Sequence, residues 1–114
     1  MKEIKAYIRP LCAGLVIKDL EDAGAKDLTL IRVDAIAPLP YAGPEIEAAL
    51  ANHITRYSAV AKLELVCRDE EAKLFIEIIR ARAHTGIRGD GRIFVSNVDE
   101  AVNIRNGETG DTAL

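Results

Sequence analysis

The residues best suited to chemistry lie in one run, residues 85–95, which reads Thr-Gly-Ile-Arg-Gly-Asp-Gly-Arg-Ile-Phe-Val. Its glycines allow the backbone to turn tightly and to approach a ligand closely. Successive backbone N–H groups in such a turn form a concave site for an anion. Arg88 and Arg92 add permanent positive charge and a planar set of donors that fits phosphate oxygens. The run therefore predicts a phosphate-binding turn that leads into a β-strand.

The same run does not match two common phosphate-binding motifs. It lacks the Gly-Lys-Ser/Thr ending of a Walker A loop, and a strand rather than a helix follows it, which excludes the dinucleotide fingerprint. The alternative is a glycine-rich turn between a helix and a strand whose arginines are only solvated. The elements around the run must decide between these two interpretations.

The size and composition of the chain indicate one small domain with an aliphatic core. Its 114 residues are 49% apolar and include no tryptophan, so we expect a packed core rather than disorder. The formal net charge of −3 argues against a nucleic-acid or membrane-surface binder. No apolar run is long enough to cross a membrane and no signal-peptide pattern opens the chain, so we expect a cytoplasmic protein without membrane insertion.

Few side chains are arranged to bind a metal or to act as a nucleophile. Cys12 and Cys67 are too few and too far apart in sequence for a disulfide framework or a zinc site, and we expect both to be ordinary half-buried thiols. His53 and His84 have no partner at ligand spacing. No catalytic residue and no metal site are therefore predicted.

The periodicity of apolar residues divides the chain into two similar halves. Strands are predicted over residues 4–8, 28–36, 60–67 and 92–98, and helices over residues 11–23 and 69–83. Gly24 should follow the first helix, and Asp69 should be the N-cap of the second, without a complete capping box. Four apolar residues recur at helical spacing in the first helix, namely Leu15, Val16, Leu20 and Ala23. The second helix should bury Leu74, Phe75, Ile78 and Ile79.

A long connection, residues 37–58, separates the halves, and a short turn or helix is expected over residues 99–103. The connection contains three prolines, and residues 45–57 have a helix-friendly composition. A connection of this length in a small domain is usually functional or mobile; the alternative is a surface excursion packed on the body. The element order predicts an α+β ferredoxin-like βαββαβ fold, with both helices on one face of an antiparallel sheet and the other face in need of cover.

Three segments resemble the PII signal-transduction family (nitrogen regulatory protein P-II). Residues 1–10 (Met-Lys-x-Ile-x-Ala-x-Ile-Arg-Pro) resemble its opening strand, and residues 85–95 (Thr-Gly-x-x-Gly-Asp-Gly-Arg-Ile-Phe-Val) resemble its signature. Residues 104–110 (Ile-Arg-x-Gly-Glu-Thr-Gly) resemble its C-terminal segment. The three segments occur in the family's order and spacing, and the similarity covers nearly the whole chain.

The resemblance implies a homotrimer of ferredoxin-like subunits that binds adenine nucleotides in the clefts between subunits. Residues 37–58 would be the T-loop, which changes conformation with the ligand and docks onto a target enzyme, transporter or regulator. Residues 85–92 would be the B-loop, which grips phosphates, and residues 105–114 the C-loop, which closes the cleft of the neighbouring subunit. The candidate partner-binding residues of the T-loop are Tyr41, Ile46, Leu50 and Tyr57.

The resemblance also implies which residues surround the nucleotide, in four groups. The B-loop supplies phosphate contacts, the base of the T-loop wraps the ligand, two residues line the adenine end, and a pair near the C-terminus faces the phosphates. The residues at these positions are Arg88, Gly89, Asp90, Gly91 and Arg92; Ala35, Ile36 and Ala37; Thr29 and Val66; and Asn103 and Arg105.

Several of these positions depart from the family pattern. Arg92 replaces the usual lysine and Arg88 an apolar residue, whereas Asn103 replaces an arginine, and the T-loop base has lost its glycines, arginine and glutamine. Because two cations of the family set are gone, less phosphate charge can be paired, so we expect ADP or AMP to be favoured over ATP. Some divergent members are linked to inorganic-carbon metabolism, which makes bicarbonate a candidate second ligand, beside the family's link to nitrogen.

The leading hypothesis is a PII-like sensor whose nucleotide occupancy sets the T-loop conformation. One alternative is a trimeric scaffold with a degenerate nucleotide site. Another is a slow nucleotide hydrolase, which is disfavoured because no general base lies beside an activated nucleophile in a recognisable motif. Between two glycines, Asp90 is more often a residue that fixes backbone geometry.

Overall fold

Four strands form one antiparallel sheet in the computed structural model, which describes residues 1–36 and 57–114. They are β1 (Lys2–Ile8), β2 (Thr29–Ile36), β3 (Tyr57–Cys67) and β4 (Arg92–Asn97). Their order across the sheet is β2-β3-β1-β4, and each neighbouring pair is antiparallel. The two halves of the chain interleave, since β1 of the first half lies between β3 and β4 of the second. This confirms the predicted ferredoxin-like fold.

Two helices, α1 (Pro10–Asp22) and α2 (Asp69–Ala83), pack against one face of the sheet. Arg9 is the N-cap of α1 and Pro10 takes its first helical position, where a missing N–H removes no helical hydrogen bond. Pro10 therefore starts the helix as well as ending β1. Gly24 follows α1 with a φ of +94°, which confirms its predicted place just beyond the helix.

The core lies between the helices and the sheet. Alternate residues of β1 and β3 face it, as expected for strands covered on one side. The expected burial of Leu74 was wrong: its side chain is 49% exposed, and that of Leu15 is 54% exposed, because the buried stripe of each helix runs one position to the side. The buried residues are Ile4, Ala6, Ile8, Ala13, Val16, Leu20, Ala25, Ala61, Leu63, Leu65, Cys67, Ala72, Phe75, Ile79 and Ala83.

The two cysteines are free thiols. Cys12 is half-buried, as predicted, whereas Cys67 is fully enclosed in the core. Burial raises the pKa of the Cys67 thiol, and the nearby carboxylate of Glu71 adds to the shift. The Cys67 thiol is therefore a neutral, apolar part of the core at physiological pH.

The start of α2 differs from the predicted one. Arg68, not Asp69, is the N-cap, which moves position N3 from Ala72 to Glu71. The Glu71 carboxylate accepts a hydrogen bond from the Arg68 backbone N–H at 2.9 Å, which is the N3-to-N-cap half of a capping box. Asp69 instead pairs with the terminal ammonium of Met1 at 2.9 Å. Sequence spacing alone did not reveal this competing partner.

The other face of the sheet carries no helix within the described residues. Charged side chains occupy its centre, where the Lys62 ammonium lies 2.7 Å from the Glu64 carboxylate. Aromatic side chains lie towards β4, where the Tyr7 and Phe94 rings meet edge to face with their centroids 6.0 Å apart. Phe94 is still 53% exposed, so this face retains apolar surface that another molecule can cover.

The chain beyond β4 folds back as a small loop closed by an isolated β-bridge. Asn103 shapes it: its backbone oxygen accepts from the N–H of Gly107 at 2.8 Å, and its side-chain oxygen accepts from the N–H of Arg105 at 3.0 Å. Residues 99–103, predicted as a short turn or helix, are irregular, and the turn follows them. A short 3₁₀ helix, Gly110–Ala113, ends the structure.

Candidate functional site

Asp90 organises the glycine-rich turn that connects α2 to β4. Its carboxylate accepts hydrogen bonds from the Thr85 hydroxyl and from the backbone N–H groups of Thr85 and Gly86, the latter two at 2.9 Å each. These bonds, together with one from Arg9, hold the pKa of Asp90 well below its usual range. Asp90 is therefore a permanent negative charge that fixes the backbone of the turn, as its position between two glycines predicts.

The two glycines that flank Asp90, one on each side, adopt backbone conformations that other residues rarely take. Gly89 has a φ of +104° and Gly91 a φ of +105°, both in the left-handed half of conformational space. A β-carbon at Gly89 would lie 3.4 Å from the Arg9 guanidinium. The turn thus depends on glycine for its shape and for its close contact with the start of α1.

Arg9 holds the same turn from the β1 side. Its Nη2 donates to the carbonyl oxygens of Ile87 and Arg88, at 3.3 and 3.1 Å, and lies 3.4 Å from an Asp90 carboxylate oxygen. Arg9 was not among the predicted site residues, because it lies 81 positions from Asp90 in the sequence. The arginine-proline pair at the end of the first strand was the signal available, and only the sheet pairing brings it to the turn.

An open cleft of about 1060 Å³ lies between this turn and the adjoining ends of β1, β2 and β3. Its volume is in the upper range of small-molecule sites. Tyr7 and Phe94 contribute aromatic surface to its wall. The predicted site residues that line it are Ala35, Arg88, Gly89, Asp90, Gly91 and Arg92.

The arginines around the cleft differ in whether a carboxylate pairs with them. Arg9 is paired with Asp90. Arg88 and Arg92 are exposed, and within residues 1–36 and 57–114 neither has a carboxylate oxygen within 4.0 Å of its guanidinium. The cleft therefore presents two arginines whose charge is available to an anionic ligand.

Thr29 and Val66, predicted for the same site, lie elsewhere in this chain. They line a smaller cavity of about 320 Å³ together with Ala113 and Leu114. Thr29 begins β2 and Ala35 lies near its other end, so six residues of strand place them about 20 Å apart. The two cavities share no lining residue. One copy of the chain thus places residues 85–92 and the pair Thr29 and Val66 at opposite ends of the sheet.

The remaining predicted residues fall into three groups. Asn103 and Arg105 belong to the loop that follows β4, at the same end of the sheet as Thr29. Ile36 is the exposed last residue of β2, and Tyr57, its partner, is the first residue of β3. Outside the described residues lie Ala37, Tyr41, Ile46, Leu50 and His53.

A metal site and a membrane-spanning helix are both missing from the part of the chain that the structure describes. There, no three side chains among His, Cys, Asp and Glu are gathered so as to hold a metal ion. None of the described helices has the length and apolar character needed to cross a membrane. His84 is exposed, with its Nδ1 3.7 Å from the Asp90 carboxylate.

Comparison with known proteins gives a consistent result. A family model described as nitrogen regulatory protein P-II matches residues 42–108. The chain is also 36% identical, over 119 aligned residues that span all of both proteins, to nitrogen regulatory protein P-II of Rhizobium meliloti (strain 1021). The chain belongs to the P-II family. It is similarly related to nitrogen regulatory protein P-II 2 of Methanothermobacter thermautotrophicus, at 37% identity over the whole of this chain and 97% of that one.

The family defines the general role of this P-II protein. P-II proteins are regulatory signalling proteins and not enzymes, which removes the hydrolase alternative. As a family they respond to adenine-nucleotide effectors and act on target proteins. The predicted family and fold are confirmed, and the chain is also 34% identical, over both full lengths, to nitrogen regulatory protein P-II of Rhodobacter capsulatus.

Proposed function

We propose that this P-II protein binds an adenine nucleotide in the cleft beside residues 85–92 and thereby controls a target protein in the cytoplasm through its T-loop. One observation carries the proposal: Arg88 and Arg92 stand without carboxylate partners, among the described residues, on the rim of a glycine-lined cleft. Backbone N–H groups and guanidinium groups together are the donors that phosphates favour. A turn needed only to join α2 to β4 would require neither arginine.

The separation of the two cavities supports binding between subunits. A single copy leaves Thr29 and Val66 about 20 Å from the cleft, which is too far for one nucleotide base to reach while its phosphates contact the B-loop. In a homotrimer, the Thr29 end and Arg105 of one copy can complete the cleft of the next. The exposed Phe94 face supplies apolar surface for such an assembly.

The number of available cations supports a preference for ADP or AMP over ATP. Among the residues that the structure describes, Arg88 and Arg92 stand unpaired at the cleft, while the charge of Arg9 is used by Asp90. At the position of the family's missing arginine, the Asn103 side chain accepts from the Arg105 N–H and brings no charge. Each added phosphate needs further pairing or solvation, so the third phosphate of ATP lacks a partner in this set.

The position of the T-loop next to the cleft allows a bound ligand to change the T-loop conformation that a partner recognises. β2 and β3 pair as far as Ile36 and Tyr57, and Ala35 and Ser58 line the cleft. Both ends of the T-loop therefore start beside the bound ligand. A nucleotide controls the partner if it binds one T-loop state better than the other. In the family the base of the T-loop supports 2-oxoglutarate, and in this chain its glycines, arginine and glutamine are absent. Bicarbonate is therefore the second ligand to test, for a partner in carbon or nitrogen metabolism.

Calorimetric titration of the purified protein with AMP, ADP and ATP, each with and without bicarbonate or 2-oxoglutarate, tests the proposal. We expect ADP or AMP to bind more tightly than ATP, with no effect of 2-oxoglutarate. Tighter ATP binding strengthened by 2-oxoglutarate would contradict the preference. Absence of binding by all three would favour the alternative, a scaffold with a degenerate site.

A subunit-mixing experiment tests whether the cleft is shared. Arg92→Met and Arg105→Met should each abolish or strongly weaken binding when present in every subunit. Because the two residues would reach one cleft from different copies, refolding the two variants together should restore a fraction of intact sites. Failure of the mixture to regain binding, with mixed trimers verified by mass spectrometry, would refute inter-subunit binding.

A further inference from the structure

We infer that Arg9 is a positioning residue that holds the B-loop in the conformation that receives phosphate, acting through the loop rather than on the ligand. The inference rests on the proposed nucleotide site, and Arg9 lies outside the predicted set of site residues. Its guanidinium is the one group, within the described residues, that joins the end of β1 to both the backbone and the carboxylate of the turn.

The backbone of Arg9 is held in place by its neighbours. It precedes Pro10, which restricts it to extended conformations, and its φ of −62° and ψ of 135° agree with that restriction. Its carbonyl oxygen accepts a hydrogen bond from the Cys12 N–H at 2.9 Å, in the first turn of α1. The side chain therefore starts from a point that both β1 and α1 define, so little backbone entropy is lost when it binds the turn.

The Arg9 side chain binds the central residues of the turn. Nη2 contacts the Ile87 and Arg88 carbonyl oxygens, which belong to the stretch whose N–H groups would face phosphate, and it contacts Asp90 as well. Gly89 passes directly over the guanidinium, and the Arg9 Nε is shielded from solvent. Because the two carbonyl oxygens are bonded to Arg9, they are held and cannot turn towards an incoming anion, which leaves the N–H groups of the turn available for it.

This arrangement predicts how replacing Arg9 changes the affinities for AMP, ADP and ATP. The Arg9 charge is opposed by Asp90 and its Nη2 is already bonded to the turn, so it adds little direct attraction for each further phosphate. Replacement of Arg9 should therefore lower the affinities for AMP, ADP and ATP by the same factor. Replacing a residue that contacts phosphate directly would instead cause a loss of affinity that grows with the number of phosphates in the ligand.

The test compares Arg9→Met and Arg9→Lys with the wild-type protein in two measurements. Calorimetry should show about tenfold weaker binding of all three nucleotides in Arg9→Met. Arg9→Lys keeps the charge but loses the planar fork, and we expect it to recover only a small part of the affinity. Amide hydrogen exchange without ligand should be faster at Thr85 and Gly86 in both variants, because Asp90 loses its support. Lys73→Met, an exposed site on α2, controls for the removal of one positive charge.

The outcomes separate this inference from the proposed function. Wild-type protein that binds no nucleotide overturns the proposed function and, with it, the ligand half of the inference. Wild-type binding with unchanged affinity in Arg9→Met, or full recovery in Arg9→Lys, overturns the inference alone, as does a loss that grows from AMP to ATP. If Arg9→Met does not fold, Arg9→Lys carries both measurements. A merely structural role would lower the denaturation midpoint and leave the affinity of the folded protein unchanged.

Discussion

Gly91 lies against the backbone of Tyr7 so closely that a β-carbon built on Gly91 would stand 1.8 Å from the Tyr7 carbonyl oxygen. Gly91 also has a positive φ of +105°. The next residue, Arg92, begins β4 and pairs with Tyr7 in the sheet. The glycine-rich turn therefore enters the sheet at a point that only glycine can occupy, and this contact determines where Arg92 stands at the cleft.

Replacing Gly91 should be costly. We expect Gly91→Ala to lower the free energy of unfolding by about 2 kcal/mol or more, because the left-handed backbone is strained and the clash forces β1 and β4 apart. Urea denaturation followed by circular dichroism measures the change. Gly14→Ala is the matched control: it lies within α1 with nothing within 4 Å of its β-carbon position, and should stabilise by about 0.5–1 kcal/mol. Equal stability of Gly91→Ala and the wild type would contradict the contact.

The charge of Asp90 should make the stability of the turn depend on pH. Hydrogen bonds from the Thr85 hydroxyl, the Thr85 and Gly86 N–H groups and Arg9 lower the pKa of Asp90 in the folded protein. A carboxyl whose pKa is lower when folded stabilises the folded state above its unfolded pKa of about 3.9, and this contribution is lost as the pH falls towards the folded value.

Comparison with Asp90→Asn isolates this contribution. We expect the wild-type protein to exceed the variant in unfolding free energy near neutral pH, and the difference to shrink as the pH falls below about 4. Urea denaturation of both proteins between about pH 7 and about pH 3 measures it. Asp99→Asn, an exposed carboxylate beyond β4, should track the wild type throughout. A difference between wild type and Asp90→Asn that does not change with pH would mean that the charge of Asp90 is not the source.

Two neighbours on α2 should respond very differently to truncation. Phe75 is 2% exposed at the centre of the core, whereas Leu74, the residue before it, is 49% exposed. Phe75→Ala should lower the unfolding free energy by about 3–5 kcal/mol through lost burial and the cavity that remains. Leu74→Ala should change it by less than about 1 kcal/mol. Similar losses in both variants, measured by urea denaturation, would point to a partner that covers Leu74 in solution.

Arg88 should contribute to the affinity for phosphate-bearing ligands. We expect Arg88→Met to weaken ADP binding by up to about tenfold and AMP binding by less, because an unpaired guanidinium gains more from a second phosphate. The loss should be smaller at high salt, which screens an exposed charge. Calorimetry at two salt concentrations measures this, with Lys73→Met as the control for net charge. Equal losses for AMP and ADP would place Arg88 away from the second phosphate.

The elements were predictable because local patterns decide them. Alternation in β1 and β3 and the proline and glycine at the ends of α1 gave strand and helix positions within a few residues of the observed ones. The faces of the helices were less predictable, since Leu15 and Leu74 are as apolar as the residues beside them. Which of them is buried depends on how each helix rotates against the sheet, and on the small residues Ala13 and Ala72 that allow close approach.

The candidate site divides in the same way. The glycines, Asp90 and the two arginines of residues 85–92 lie next to one another in sequence, so the run itself predicted that they stand together at one site. Arg9 could not be found that way, because it reaches the turn only through antiparallel pairing of β1 with β4. The predicted strand over residues 28–36 separates Thr29 from Ala35, but the sequence does not indicate that the two residues line separate cavities.

The sequence by itself determined the order of strands and helices and the family to which the chain belongs, and it predicted an anion site at residues 85–92, since each depends on residue types at short spacing. Only the tertiary structure decided that Arg9 supports the turn, that Gly91 is wedged against Tyr7, and that the predicted binding residues form two separate cavities. These relationships join residues far apart in the chain, and the packing of the sheet, rather than any local preference, sets the distances between them.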